Sequence, residues 1–516
     1  MPRSTPRRSD RTATRPRTSG PAGGRGLSWL AWGALAAAAL GLFVQLVPQA
    51  ARAVLNTDEC FHAHLARAIA AHGSLPARIP ELYGGLFYSY PPLLHLLGAG
   101  WVKALGLPTL PLLNVVLLAA LMAVLAALPV PRLAATPRRW ALWIVIANAA
   151  LATYAVRFYA EMLTCLLGLL VALLLVRVAA TRSVRDAVLL GIAGGLALLA
   201  KNTALLIPVL FAAYAATEAI ARRPDGVRNA LIAVALALVI AAPMLIRNQL
   251  LFGSPIYPGG ARDVDPWLMQ LNQQTFGSGL GAWVVEVIRT IALWALGVGI
   301  IGLGIAIASK RRDLHAGLLV CSILGIAIAP FSPLHDARHV MPLIAILALS
   351  GSVVIHDALA ARTTTRGVIE YALAAIALVS VVTLGDRRTP LDVRPDLMEA
   401  YAAIHERVPT SSTVLSLWTY DTFYHSERAA TWPIPWGQGD RSPAPLFREQ
   451  DPERFLAELD RLGIEWLLVP NGPGRAQFNG ANYPRSFVSC VRALGNRGAL
   501  EVAWGSNTLT LLRRTR

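Results

Sequence analysis

The chain has 516 residues, 55% of them hydrophobic and only 15% charged, a balance that excludes an ordinary soluble globular protein and belongs to a polytopic membrane protein. The formal net charge is +17, but the arginines gather at the N-terminus and in short loops, where they read as topology signals before nucleic-acid contacts. Cys60, Cys165, Cys321 and Cys490 are scattered without CxxC spacing, so neither a zinc site nor a disulfide framework is indicated.

Residues 1–28 are rich in Arg, Pro, Ser and Thr and are predicted to form a disordered basic cytoplasmic tail. The apolar segment Leu27–Gln49 lacks a convincing cleavage site and reads as an uncleaved signal anchor. Directly after it comes NTDECFHAHLARAIAAHGSLPARIPELYGGLFYSYPP, residues 56–92, the heart of a first outer loop spanning 50–92. Its two adjacent carboxylates, Asp58 and Glu59, open an amphipathic helix. Two readings stand side by side. Thr57 can cap that helix with the acids favoured by the macrodipole in its first turn, or the pair is kept beside the bilayer because it does chemistry.

Membrane-length runs follow at 109–130, 140–157, 160–179, 186–201, 202–220, 229–246, 286–308, 314–331, 339–356 and 367–385, with 93–106 as a further half-buried helix. With the first span this makes about eleven transmembrane helices over a domain of 29–385. Loops expected on the inner side carry Arg132, Arg138 and Arg139, then Arg182 and Arg185, then Arg222, Arg223 and Arg228, then Lys310, Arg311 and Arg312, then Arg362 and Arg366. The outer loops are poorer in basic residues, so the positive-inside rule holds throughout. An odd count puts the N-terminus inside the cell, the C-terminus outside, and Asp58 and Glu59 on the outer face.

Beyond Asp386 the composition changes. Helices are predicted at Leu397–Arg407, Pro452–Leu462 and Tyr483–Leu494, strands at Thr413–Leu417 and Glu465–Val469, and a hairpin from Leu500–Trp504 and Thr508–Leu512. The fold class is therefore an α-helical polytopic membrane protein with a small C-terminal extracytoplasmic α/β domain over 386–516.

Charges recur at the outer ends of the spans: Arg157 and Glu161, then Lys201, then Arg247 with Asn248, then His335, Asp336, Arg338 and His339. Each basic residue alone is explained by snorkelling. Acids and bases converging in one layer suit instead a reaction in which a hydroxyl or amine loses a proton while a phosphate departs. Tyr83, Phe87, Tyr88 and Tyr90, next to Gly84-Gly85 and Pro91-Pro92, read either as a substrate groove or as an interfacial aromatic belt. His62 lies one helical turn from Asp58, so these two are the candidates for a divalent metal, whereas His64 points elsewhere on the helix. Trp418, Tyr420, Tyr424, Trp432 and Trp436 offer sugar-stacking platforms or, more simply, the core of the small domain. No P-loop, dinucleotide fingerprint, HExxH or GxSxG occurs in a usable context.

The TDE at 57–59, FYSYPPL at 87–93, RFYAEML at 157–163, LLAKNTALLIP at 198–208, RNQLLFGSPIYP at 247–258 and ARHVMPL at 337–343 occur in an order that resembles the GT-C superfamily of membrane glycosyltransferases. The likeness is to the branch holding protein O-mannosyltransferases and the lipid A aminoarabinose transferase, and it covers roughly residues 30–385. It implies an inverting transfer of a sugar from a polyprenyl-phosphate-linked donor to a lipid, glycan or protein acceptor. That transfer would take place on the outer face of a bacterial inner membrane, without nucleic acid; no cofactor is expected to be required, although some members of the superfamily use a divalent cation and others do not. By the same resemblance Asp58 is the base, Glu59 orients the acceptor or supports that base, and Glu161 is the second acidic position. Lys201 and Arg338 match positions near the donor phosphate; Arg247 is a further candidate there, and Arg157, His62, His339, Tyr83, Tyr88 and Tyr90 are candidates for a substrate groove. The ARH before VMP at 337–342 fits the family's basic motif only approximately. A lipid-linked sugar flippase or other transporter is the chief rival, disfavoured by the lack of an internal repeat and by charges that sit at helix ends and not at the midplane. A membrane scaffold with an external interaction domain would explain the tail but not the ordered charges.

Overall fold

The structure, a computed structural model, describes residues 23–201, 206–256, 265–268, 270, 280–328, 337–384, 394–434, 439–471 and 483–515. Most of the basic tail, His335, Asp336 and Trp436 lie outside these residues.

Apolar sequence makes a helical bundle, and polar sequence makes its two ends. Helices Gly23–Arg52, Leu112–Ala127, Glu161–Thr181, Val184–Leu198, Leu206–Ile220, Pro224–Phe252, Leu280–Ala308, Leu314–Ile328, Leu343–Ala358 and Thr363–Leu384 coincide with the expected runs over their described parts. Four of them, over Trp29–Arg52, Glu161–Thr181, Pro224–Phe252 and Thr363–Thr383, are long and apolar enough to cross a membrane. Small residues let Val184–Leu198 lie close on Pro224–Phe252: a Cβ on Gly191 would stand 2.8 Å from the Ala233 carbonyl oxygen, and one on Gly195 2.6 Å from Ile240 Cβ.

Two expected runs differ in detail. Run 140–157 is broken into Ala135–Ile146 and Ala149–Ala155, because Asn148 caps the second piece by accepting from the Leu151 amide at 2.9 Å. Run 339–356 starts as a helix only at Leu343, after Pro342; Ala337–Val340 is a separate 3₁₀ turn. Leu93–Leu105 is the expected additional helix.

The charged residues separate onto opposite ends of the bundle. At one end Arg139 pairs with Glu370, Arg138 donates to the Leu125 carbonyl at 3.0 Å, Arg177 pairs with Asp186 at 2.9 Å, and Arg311 with Asp357 at 2.9 Å. At the other end are Asp58, Arg157, Glu161, Lys201 and Arg338.

This second end is covered by the first loop and the C-terminal unit together. The loop contains the helix Asp58–His72 and an antiparallel pair, β1 (Arg78–Ile79) with β2 (Leu86–Phe87). Gly85, at φ +108°, turns the chain between them where a side chain would be strained. The C-terminal unit is a five-stranded sheet of β3 (Thr413–Ser416), β4 (Ala429–Thr431), β5 (Ile464–Pro470), β6 (Leu500–Gly505) and β7 (Leu509–Arg514), in the order β4-β3-β5-β7-β6. β3 runs parallel to β4 and β5, and the other pairs are antiparallel. Helices Pro395–Arg407, Thr419–Ser426, Pro452–Leu462 and Arg485–Asn496 accompany it. Phe61, Leu65, Ile79, Leu82 and Tyr83 of the loop share one apolar core with Leu397, Tyr401, Trp418 and Trp432 of the C-terminal unit. Trp432 packs edge-on against Phe447 and Tyr483, at 4.7 and 5.1 Å between ring centres, which is core packing and not a sugar platform.

Candidate active site

Thr57 precedes the helix Asp58–His72 with φ 45° and ψ −127° and makes no side-chain cap. The expected capping role is therefore corrected: its hydroxyl is bonded to Tyr159 Oη at 2.7 Å. Tyr159 belongs to a non-helical turn between two helices, which Asn114 supports by donating from Nδ2 to the carbonyls of Arg157 at 2.6 Å and Tyr159 at 2.8 Å. With the backbone so turned, Asp58 and Glu59 leave the helix start in different directions.

Asp58 is half-buried, and its Oδ2 accepts from Arg338 Nη2 at 2.7 Å. The guanidinium lies 5.4 Å over the Tyr159 ring, and its Nε is 3.6 Å from Glu161 Oε1. Lys201 Nζ donates to that same oxygen at 2.5 Å. Four segments far apart in sequence thus meet in a chain Asp58–Arg338–Glu161–Lys201 with two charges of each sign. His339, on the 3₁₀ turn of Arg338, also acts electrostatically on Glu161. Burial pushes the Asp58 carboxyl upward, but the charge of Arg338 and the hydrogen bond from it outweigh burial and hold it below its ordinary value. At neutral pH Asp58 is a carboxylate and can accept a proton.

Glu59 and Arg157 lie elsewhere. Both side chains are wholly buried and paired with each other, with Arg157 Nε 2.9 Å from Glu59 Oε2. Glu59 also accepts from the Phe158 amide at 2.6 Å and the Asn56 amide at 3.2 Å, and Arg157 donates to the Val54 carbonyl at 2.9 Å. The expectation that Arg157 lines a groove, and that Glu59 touches an acceptor, is corrected: neither reaches open space, because each fulfils the other's charge inside the protein.

The aromatic residues divide in the same way. Tyr90 keeps 37% of its surface and packs on Phe61 and His62, at 5.0 and 5.4 Å. Tyr83 and Tyr88 are buried, which corrects their placement along an open groove. Tyr88 Oη bonds His95 Nδ1 at 2.8 Å, and His95 Nε2 bonds His62 Nδ1 at 2.7 Å. Burial pushes His62 down to about 4, so it is neutral at pH 7. Arg247 caps this row, 5.5 Å over the Tyr88 ring, and its Nη2 is buried without a hydrogen-bond partner among the described residues. His64 faces Phe423 instead, at 4.6 Å.

Four residues outside the expected site set carry the geometry: Tyr159, which lies within the quoted RFYAEML segment, and His95, Asp421 and His425, which carry no signal in the sequence. Asp421 Oδ1 accepts from the Thr57 amide at 2.8 Å, and His425 Nε2 meets the Leu55 carbonyl at 2.7 Å. Cys60, Asp421 and His425 offer ligand atoms within 4.8 Å of one another. His425 Nε2 must carry its proton to bond a carbonyl, so that nitrogen is not a ligand in this arrangement.

Residues 101–274 match a family model described as a domain of unknown function (DUF8201). No curated protein matches the sequence. Among solved structures, the archaeal oligosaccharyltransferase AglB from Archaeoglobus fulgidus, in complex with an inhibitory peptide and a dolichol-phosphate, aligns with 90% of this chain and 72% of its own. The TM-score is 0.64 and the identity 13%. A second structure of that enzyme, in complex with Zn and sulfate, aligns with 89% of this chain and 70% of its own, at a TM-score of 0.62 and 14% identity. ArnT from Cupriavidus metallidurans in the apo state aligns with 95% of this chain and 98% of its own, at a TM-score of 0.47 and 15% identity. The fold is that of the archaeal oligosaccharyltransferase AglB.

Proposed function

We propose that this protein is an inverting GT-C glycosyltransferase that moves a sugar from a polyprenyl-phosphate donor to an acceptor on the outer face of the bacterial inner membrane. The observation that carries the reading is the mixed-charge chain Asp58–Arg338–Glu161–Lys201 at the end of an apolar bundle. In this reading the N-terminus is cytoplasmic, and the C-terminal α/β unit and the site lie on the outer side of about eleven spans.

Asp58 takes the proton from the acceptor's hydroxyl or amine as that atom attacks the anomeric carbon. The carbon–oxygen bond to phosphate breaks through an oxocarbenium-like state, and the polyprenyl phosphate leaves with the bonding electrons. Lys201 and Arg338 stabilise the charge that builds on the leaving group. Arg247, whose buried Nη2 lacks a partner among the described residues, supplies a further donor. Glu161 holds Lys201 and Arg338 between donor and base. Glu59 serves by fixing the start of the base's helix against Arg157. The scheme uses no divalent ion. Acceptor and sugar would pass beneath Tyr90, the exposed aromatic of the first loop.

The test is the lipid and surface-glycan profile of a deletion strain complemented with wild type or with Asp58→Asn. One sugar should vanish from one envelope component and return with wild type only. Restoration by both proteins would reduce Asp58 to a structural residue and move the weight to a lipid-linked sugar transporter.

A further inference from the structure

Thr57 is not glycine, yet it holds φ 45° immediately before the proposed base. Such a conformation persists only where its surroundings over-determine it, and its presence beside reacting groups points to function. Three contacts hold it here. Tyr159 Oη bonds its hydroxyl at 2.7 Å, Asp421 Oδ1 accepts its amide at 2.8 Å, and His425 Nε2 donates to the preceding Leu55 carbonyl at 2.7 Å.

Two of those three come from the helix Thr419–Ser426 of the C-terminal unit, some 360 residues along the chain. That helix is itself fixed. Thr422 Oγ1 is bonded to Ser416 Oγ of β3 at 2.7 Å, and the His425 ring stacks on Tyr401 at 5.5 Å and 11°. Asp421 is 3% exposed, so it has no surface role. The seam continues along the loop, where the Tyr83 amide donates to the Ala430 carbonyl at 3.0 Å and the Ala430 amide to the Glu81 carbonyl at 2.9 Å. Arg441 Nη1 donates to the Gly84 carbonyl at 2.7 Å.

We propose that Asp421 is a positioning residue: it holds the Thr57 backbone at its positive φ and so aims Asp58 at Arg338, with His425 as a second pin on Leu55. The C-terminal unit is then part of the active site and sets the direction of the base without touching substrate. This inference rests on Asp58 being the base. Loss of the acceptor at Asp421 lets Thr57 relax toward ordinary backbone, which swings the Asp58 carboxylate out of line. Asparagine retains an amide oxygen at the same place and can accept the same bond.

The test uses the full-length protein carrying Asp421→Ala, Asp421→Asn or Asp58→Asn, each at matched membrane level in the deletion strain. Asp421→Ala should slow return of the missing envelope sugar by about 10- to 100-fold, the scale of a misplacement near 1 Å, whereas Asp421→Asn should stay within about threefold of wild type. Purified Asp421→Ala should bind undecaprenyl phosphate as wild type does, because Lys201 and Arg247 are untouched, while hydrogen exchange at the Thr57 amide should speed up. Wild-type turnover by Asp421→Ala beside an inactive Asp58→Asn overturns the positioning role alone. Equal loss in Asp421→Ala and Asp421→Asn, with loss of undecaprenyl phosphate binding, overturns it in favour of a purely structural residue. An active Asp58→Asn sinks the base assignment and this inference together.

Discussion

Asp58 and Glu59 stand side by side at the start of one helix and each is joined to an arginine, but the two pairs differ in what surrounds them. The Glu59 and Arg157 side chains keep 0% of their surface, whereas those of Asp58 and Arg338 keep 27% and 21%. A sealed pair cannot exchange partners without exposing a charge to an apolar interior, so it fixes geometry. An open pair can surrender its arginine to an incoming phosphate and its carboxylate to an incoming proton. Adjacent acids of the same chemistry thus divide into a sealed one and an open one, and in the proposed function burial separates the structural acid from the reactive one.

The largest effects should fall on opposite properties of the two acids. Asp58→Asn should cost about 10²–10⁴-fold in transfer, the usual range for a general base, with little change in the detergent melting temperature. Glu59→Gln should do the reverse in kind. It leaves the Arg157 charge buried and uncompensated, at about 3–5 kcal/mol of stability, so the melting temperature should fall before activity per folded molecule does. The double variant Glu59→Leu with Arg157→Met should melt above Glu59→Gln, since no buried charge remains. A Glu59→Gln protein as stable as wild type and inactive would exchange the roles assigned here.

Lys201→Ala is the next smaller effect. Lys201 is half-buried and bonded to Glu161, so its removal takes one charge-assisted hydrogen bond from a bound phosphate, about 1.5–3 kcal/mol. Titration with undecaprenyl phosphate should show the affinity weakened by about tenfold or more, with the acceptor dependence unchanged. A change confined to acceptor dependence would put Lys201 on the other side of the reaction.

The sequence exposes the bundle and the open cluster because both follow from simple rules. Apolar runs of membrane length become helices, and the acids or bases at one set of their ends meet because those ends meet. The predicted strand at Glu465–Val469 sits inside β5, and the predicted hairpin is β6 with β7. What the sequence hid depends on fine backbone geometry. Thr57 reads as a helix cap, and only its positive φ turns its hydroxyl to Tyr159. Thr419–Ser426 reads TYDTFYHS, eight residues of mostly polar and β-favouring types, too short for its i, i+3, i+4 aromatic spacing to mark a helix. Its Asp421 and His425 therefore give no sign of reaching Thr57 and Leu55. His95 stands alone in an apolar run, where nothing local marks it as the partner of both His62 and Tyr88.

The smallest and most diagnostic effect is on stability against pH, because the site region carries two buried groups whose contributions run in opposite directions. Burial, aided by the charges of Glu59 and Asp58, pushes Asp421 up to about 7 from an ordinary 3.8. Between those values the folded protein holds a proton that the unfolded chain has released. The Asp421 contribution is therefore complete below about pH 4 and is lost as pH rises toward about 7. His62, pushed down to about 4 by burial from an ordinary 6.5, works the other way: the unfolded chain takes up a proton that the folded one refuses. Its contribution is complete above about pH 6.5 and is lost as pH falls toward about 4. Glu59, Asp58 and Cys60 face Asp421, while Asp58, Glu161, Arg338 and Lys201 act on His62. The two slopes oppose each other, within a profile to which His64, pushed down to about 4 by burial, and His425, also pushed down, add further rising slopes. Asp421→Asn should remove its falling slope, so that stability rises with pH more steeply than in wild type across that window, while His62→Gln should make the rise less steep than in wild type. Parallel profiles for wild type and Asp421→Asn would mean that Asp421 is ionised in the folded protein. The Thr57 amide would then be held by a full charge, and asparagine should fail to replace it.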